Sequence, residues 1–234
     1  MMTHDFRPIR DKLETEFASL LAPDLQVNGA SAVYVVLLSE TDLQTSGEFL
    51  GLTGPRIGEW LRPFVPSWSG PGPAMLVDDL AIGRDFESNA EDAFVGICVH
   101  EVAHVSCVDG LFAHDHENSA RTASVLQETF TSAVASSTTF DPSTASQRPD
   151  HGTDWLRACC HITHRMQKRG WPVFLPMVIN TDFFGISSTS VYSRALGDEC
   201  VRLEHLPITD ILLYDAPNEF IDLWQSDLDR WPNG

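Results

Sequence analysis

The segment VGICVHEVAHVSCVDG, residues 95–110, carries two histidines with a glutamate between them in an otherwise largely apolar run. They follow the order His-Glu-x-x-His, at His100, Glu101 and His104. Four positions are about one turn of an α-helix, so both imidazoles are expected on one face of a helix. A buried helix seldom carries ionisable side chains unless they pair with each other or bind something. The segment therefore predicts a buried helix with a binding function.

The chemistry that best matches this spacing is a zinc site. Catalytic zinc takes three protein ligands and keeps one open position, and His-Glu-x-x-His on a helix supplies two imidazoles that reach one ion. Glu101 would lie beside the open position, where a carboxylate can take a proton from water and pass it to a leaving amine. We therefore predict His100 and His104 as ligands of Zn²⁺ and Glu101 as the catalytic residue. The competing interpretation is two packed histidines and a solvated Glu.

A third zinc ligand has to come from elsewhere in the chain. The extended metzincin pattern is absent, because Cys107 and Gly110 stand where its Gly and last His would be. Glu128, on a helix predicted near 119–137, has the position of a gluzincin ligand. The downstream candidates, which the residues alone leave open, are His151, Glu128, the pair His114 and His116, and Asp109.

The pair of motifs HEVAH at 100–104 and HGTDW at 151–155 resembles the SprT-like zinc metallopeptidases. In that family the His before the Gly, at the mouth of a helix, is the third zinc ligand. The resemblance implies a zincin-like fold, a protein or peptide substrate lying along an edge strand, and the metal ligands His100, His104 and His151. It also implies that Gly152 lets the backbone pass close to the metal and that Trp155 anchors its helix in the core.

Composition narrows the partners and the compartment. The chain has 33 acidic and 15 basic residues, a formal net charge of -18, which disfavours binding to nucleic acid. An apolar run of about 18 residues is absent from the sequence, as is the apolar core of a signal peptide, so we expect no membrane association and a cytoplasmic location. The five cysteines are odd in number and lack a Cys-x-x-Cys pair, which indicates reduced, mostly buried thiols.

The predicted fold is α+β, a single zincin-like domain over residues 1–234, with the alternative that residues 171–234 form a C-terminal extension. Its small mixed sheet would contain VYVVLL as a central strand, AMLVDD near an edge and PVFLPMVI as a third candidate. Apolar periodicity and capping residues predict the helices, near residues 6–21, 88–110, 119–137, 153–170, 190–203 and 217–231. The helix near 153–170 would be capped by Thr153 and would end at Gly170.

Other chemistry has weaker support in the sequence. An oxyanion stabiliser is not identified; the candidates are His161, His164, Tyr192 and Tyr214. Cys159 and Cys160 precede His161, but adjacent helical residues point about 100° apart, so buried thiols are favoured over a nucleophile. Two functions remain: a zinc-dependent peptidase, or a non-catalytic structural or interaction protein on a zincin-like scaffold. Replacement of Glu101 by Gln would separate them.

Overall fold

The protein is described here by a computed structural model, which covers residues 4–21, 33–41, 50–54, 61, 74–107, 152–179 and 189–230. The strands are β1 (Tyr34–Leu37), β2 (Gly51–Gly54) and β3 (Ala74–Val77). The α-helices of these residues are α1 (Arg7–Leu20), α2 (Asp79–Asp85), α3 (Ala90–Cys107), α4 (Thr153–Lys168), α5 (Leu175–Ile179), α6 (Thr189–Ala195), α7 (Gly197–Arg202), α8 (Ile208–Ile211) and α9 (Asn218–Arg230). The expected mixture of helices with a small mixed sheet is confirmed.

The sheet has the strand order β1-β3-β2, with β1 parallel and β2 antiparallel to β3. The prediction that β1 is central and β3 near an edge is therefore wrong. All four residues of β3 are buried because both faces of the sheet are covered there, whereas Tyr34 at the start of β1 is only half-buried. Strand β2, with the sequence GLTG, was not predicted because glycine at both ends is typical of a loop.

The third predicted strand, PVFLPMVI, is also wrong. Residues 171–174 have no regular structure and the rest forms helix α5. Pro176 lies in the first turn of α5, where a missing amide hydrogen costs nothing, while in a strand it would remove a ladder hydrogen bond. Apolar periodicity alone does not separate a short strand from a short buried helix.

Side chains alternate between the two faces of the sheet, and both faces are covered. Val35, Leu37, Met75 and Val77 belong to the main hydrophobic cluster, which they share with α1, α3 and α4. Val36, Ala74 and Leu76 face the other way and pack with Leu38 and Leu61. Buried side chains of α6, α7, α8 and α9, among them Tyr192, Cys200, Ile208 and Phe220, belong to the same main cluster as α1.

The two long inner helices follow the sequence closely. Helix α3 begins after a 3-10 turn at Glu87–Asn89 and is buried on most of its circumference. Helix α4 begins at Thr153, but Gly152 is its cap residue and makes no side-chain bond, so the prediction of Thr153 as the cap is wrong. Gly170 has φ 87°, the left-handed conformation that ends helices, as predicted. None of the described helices is both long and apolar enough to cross a membrane.

The C-terminal helices differ from the sequence prediction in two respects, of which one is that α8 was not predicted. The single helix expected near 190–203 is two helices, α6 and α7, with Leu196 in the turn between them. Helix α9 over 218–230 confirms the helix expected near 217–231.

Candidate metal centre

The predicted zinc ligands His100 and His104 lie one turn apart on α3, and their rings face each other. The Nε2 atoms of the two imidazoles are 3.2 Å apart. Two nitrogens that bind one tetrahedral zinc at about 2.0–2.1 Å lie about 3.3 Å from each other. Both side chains are half-buried rather than sealed in the core. The separation and the donor type therefore fit two ligands of one zinc ion.

A hydrogen bond to the backbone of α5 fixes the orientation of the first imidazole. His100 Nδ1 lies 2.8 Å from the carbonyl oxygen of Val178. Since a carbonyl only accepts, Nδ1 carries the hydrogen, and when His100 is neutral its Nε2 can accept from His104 or bind a metal ion. Zinc-binding histidines commonly donate their other N–H to a backbone carbonyl in this way. The Val178 carbonyl was missed in the sequence because α5 was expected to be a strand.

The indole of Trp155 covers both imidazoles from the side of α4. Its centroid lies 4.9 Å from that of His100 with the rings at 68°, and 5.5 Å from that of His104 with the rings at 25°. The Trp155 side chain is 1% exposed. The core anchor predicted from the HGTDW motif is thus in contact with the two predicted ligands, and it limits the directions in which their rings can turn.

The predicted general base, Glu101, is 5% exposed and lies on α3 beneath strand β2. A Cβ atom added to Gly51 of β2 would be 2.7 Å from Glu101 Oε1. The strand backbone therefore passes directly over the carboxylate. Gly51 is a second residue that the sequence did not single out, and its only signal was the Gly-rich character of GLTG.

The remaining predicted ligands lie outside the described residues. They are Asp109, His114, His116, Glu128 and His151, of which His151 immediately precedes Gly152, the cap residue of α4. Within the ranges that are described, no three His, Cys, Asp or Glu side chains are grouped so as to hold a metal ion. The described part of the candidate centre thus contains two imidazole nitrogens and a carboxylate, and a third zinc ligand would have to come from the rest of the chain.

His161 belongs to a different region, on the part of α4 that faces α7. Its Nε2 donates to Glu199 Oε1 at 2.8 Å, and the Arg157 Nε donates to the same oxygen at 2.9 Å. The Arg157 guanidinium also donates to the carbonyl of Tyr214 at 2.7 Å. We call these three residues, Arg157, His161 and Glu199, the anchor network, because they join α4 to the C-terminal helices.

Burial and charge set the protonation of the anchor network. Burial lowers the pKa of His161, outweighing the hydrogen bond to Glu199 that would raise it. Burial alone would raise the pKa of Glu199, but the bonds from His161 and Arg157 hold that pKa below its usual value. The network is therefore a neutral imidazole, a carboxylate and a guanidinium, and the polar atoms of its charged pair satisfy each other.

Among the other candidates for an oxyanion stabiliser, Tyr192 is engaged elsewhere. Tyr192 is buried and its hydroxyl donates to Asp227 at 2.7 Å, which joins α6 to α9. Tyr214 is 54% exposed in the turn after α8, and His164 lies on α4 beyond the anchor network. Cys159 and Cys160 are buried, and burial raises the pKa of both thiols well above the ordinary value, which disfavours a nucleophilic thiolate.

Comparisons of the chain with known protein families, with curated proteins and with solved structures returned no match. The case for a function therefore depends on the geometry around His100, Glu101 and His104. The α+β architecture supplies the context for that geometry, because β2, α4 and α5 each contribute one contact to it.

Proposed function

We propose that this chain is a zinc-dependent metallopeptidase of the SprT-like kind, which hydrolyses peptide bonds with Glu101 as general base. The observation that carries the proposal is the 3.2 Å separation of the His100 and His104 Nε2 atoms, on rings oriented by the Val178 carbonyl and Trp155. The two Nε2 atoms lie at the separation that one bound zinc ion requires, and an imidazole N–H···N hydrogen bond can hold them there in the metal-free protein. The chemistry of two imidazoles and a neighbouring carboxylate suits Zn²⁺.

Each residue has a defined task in this proposal. Zinc, when bound, supplies a Lewis acid that lowers the pKa of water and polarises a carbonyl group. His100 and His104 hold the ion, and His151 is the proposed third ligand by resemblance. Glu101 takes a proton from the attacking water and returns it to the leaving amine. The indole of Trp155 excludes water from one side of the two imidazoles.

The proposed substrate is an extended peptide. Strand β2 is at one edge of the described three-stranded sheet and runs directly over Glu101. An edge strand can bind an extended peptide through main-chain hydrogen bonds, which would carry the peptide past the carboxylate. The net charge of -18 favours basic or neutral peptides over acidic ones.

The decisive experiment replaces Glu101 by Gln and measures both peptide hydrolysis and zinc content. We expect hydrolysis to fall by about 10²–10⁴-fold, the usual contribution of a general base, with zinc retained because Glu101 is not a ligand. A wild-type protein that binds zinc but cleaves no peptide from a diverse library would contradict the peptidase proposal. That result would favour the non-catalytic alternative, in which zinc supports the fold alone.

Zinc content tests the ligand set independently of any substrate. Elemental analysis of protein purified without added metal should give an equimolar zinc content for the wild type and a large loss for His104→Ala. His151→Ala should lower zinc binding as well, and its retention of zinc would transfer the third-ligand assignment to Glu128. The control is His205→Ala, an exposed histidine after α7, which should keep the full zinc content.

A further inference from the structure

Gly51 has the closest contacts of the glycines in the described residues. It pairs with Val77 of β3, whose side chain faces the main core, so the missing Cβ of Gly51 faces helix α3. A Cβ there would lie 2.7 Å from Glu101 Oε1, 2.8 Å from Ile97 Cγ2 and 2.9 Å from Glu101 Cγ. Real Cβ atoms essentially never approach heavy atoms so closely, and one of the groups would have to move.

Position 51 requires glycine because a side chain would lack space there, and not because the backbone has an unusual conformation. Gly51 does not have a positive φ, unlike Gly170. A Cβ on Gly83 would meet its nearest neighbour at 3.7 Å, an ordinary contact, and one on Gly197 would meet nothing within 4 Å. Gly96 is also tight, at 3.0 Å from Met177, but it contacts no ionisable group. Gly51 alone among these glycines lies against a carboxylate.

We propose that Gly51 is a positioning residue for Glu101: the bare backbone of β2 forms one wall of the space that holds the carboxylate. The inference rests on the proposed function, because it concerns the geometry of the general base. Strand β2 is held by its hydrogen-bonded pairing with β3, whereas the carboxylate is the far end of a flexible side chain. A methyl group at position 51 therefore displaces the Glu101 carboxylate more readily than it displaces the strand.

Because the carboxylate moves more readily than the strand, we expect Gly51→Ala to affect catalysis and not zinc binding. The folded protein should keep its zinc, because the three atoms nearest to the added Cβ belong to Glu101 and Ile97 and not to His100 or His104. A displacement of a catalytic group by about 1 Å can cost about 100-fold in rate. We therefore expect kcat for peptide hydrolysis to fall by about 100-fold with a much smaller change in KM.

The experiment compares Gly51→Ala with its matched control Gly83→Ala, in which the added methyl group makes only ordinary contacts. Zinc content, kcat and KM are measured for each, together with the carboxyl ¹³C titration of Glu101 in glutamate-labelled, metal-free protein, assigned with Glu101→Gln. Gly51→Ala should change both kcat and the Glu101 titration, while Gly83→Ala should change neither.

A double-variant cycle with Glu101→Asp tests the contact itself. The aspartate is shorter by one methylene, so its carboxylate withdraws from the added Cβ. Glu101→Asp should therefore cost less in the Gly51→Ala background than in the wild type. If Gly51→Ala does not fold, the variant with Ile97→Ala added removes the second clash, at Cγ2, and leaves the contact with the carboxylate to be tested.

The outcomes separate the two proposals. An active wild type whose kcat and Glu101 titration are unchanged by Gly51→Ala overturns the positioning role and leaves the peptidase proposal intact. A wild type without zinc or hydrolysis overturns the peptidase proposal. In that case the Glu101 titration still decides whether Gly51 holds the carboxylate, since it needs neither metal nor substrate.

Discussion

Helix α4 takes part in two polar regions that satisfy their hydrogen-bonding groups in different ways. In the anchor network, the Glu199 carboxylate receives bonds from Arg157 and His161, and the Arg157 guanidinium is completed by backbone carbonyls. Near the start of the same helix, Trp155 contacts His100 and His104, whose Nε2 atoms face each other. The first region pairs donors with acceptors, whereas the second brings together two atoms that are both acceptors when they bind a metal.

This difference separates a structural site from a candidate functional site. The Arg157–Glu199 pair bonds to itself and to the backbone, and His161 Nδ1 is the buried atom of the anchor network that has no hydrogen-bond partner in the described residues. Two facing imidazole nitrogens can share a single proton in the metal-free protein, or both can donate to one ion. The ionisable side chains of the anchor network are all buried, whereas His100 and His104 are half-buried, so the more deeply buried region is not the candidate functional one.

The largest expected effect that tests this contrast comes from Glu199→Ala. The change leaves the Arg157 guanidinium buried without its counter-ion, which should lower the free energy of unfolding by about 3–5 kcal/mol. Chemical denaturation of metal-free protein measures this loss. The zinc content of the folded fraction should equal that of the wild type, because the anchor network has no part in metal binding.

The matched control for Glu199→Ala is Glu204→Ala, which breaks an exposed ion pair with Lys168 of α4. Solvent screening leaves such pairs with little effect, so no measurable change in stability is expected. Loss of zinc on replacing Glu199, in protein that remains folded, would contradict the separation of the two regions.

The sequence predicted the parts of the site that lie within one helix. His100, Glu101 and His104 are on α3 as expected, because their spacing depends only on the helical period. Trp155 was expected in the core from the resemblance of HGTDW at 151–155 to the SprT-like motif. These predictions need no knowledge of how distant segments meet.

The contacts that complete the site depend on long-range packing, which the sequence did not reveal. The Val178 carbonyl reaches His100 only because residues 175–179 form a helix, and the sequence pattern there favoured a strand. Gly51 reaches Glu101 because β2 pairs with β3 at the sheet edge, and GLTG lacks the β-branched residues by which strands are recognised. Backbone atoms and a missing side chain leave no chemical signature in a sequence.

Replacement of Trp155 tests whether its ring orients the two imidazoles of the candidate metal centre. Trp155→Leu removes the ring that restrains both imidazoles, so zinc affinity should fall by about 10–100-fold, as for other residues that orient metal ligands. Trp155→Phe keeps an aromatic ring and should lose less. Competition with a chromophoric chelator measures the affinity of each variant.

A control is needed because Trp155 is also part of the core. Leu156→Ala, at the next and equally buried position of α4, should destabilise the fold by about 2–5 kcal/mol without changing zinc affinity. Equal losses of affinity in Trp155→Leu and Leu156→Ala would mean that Trp155 acts only through stability. A selective loss in Trp155→Leu would assign it to the metal centre.

The smallest expected effect is a change in how stability depends on pH, through His161. Its pKa is lowered in the folded protein by burial, with Arg165 and Arg157 adding to the shift, whereas the unfolded chain titrates near the ordinary value of about 6.5. The unfolded state therefore binds the proton first, and stability declines as pH falls below about 6.5 until the folded imidazole is protonated as well. His161→Gln keeps a donor for Glu199 but does not titrate, so this decline should disappear.

The depressed pKa of Glu199 acts in a separate window and helps to isolate the effect of His161. Its stabilisation is complete above the unfolded value of about 4.3 and is lost only as pH falls through its lower folded value. Denaturation of metal-free protein between about pH 5 and 7 therefore reports on histidines without interference from Glu199. If the decline in stability persists unchanged in His161→Gln, it is caused by other histidines, and His100 and His104 are the first to test. In that case the anchor network would not titrate through His161, and the expected difference in protonation between this network and the His100–His104 pair would not hold.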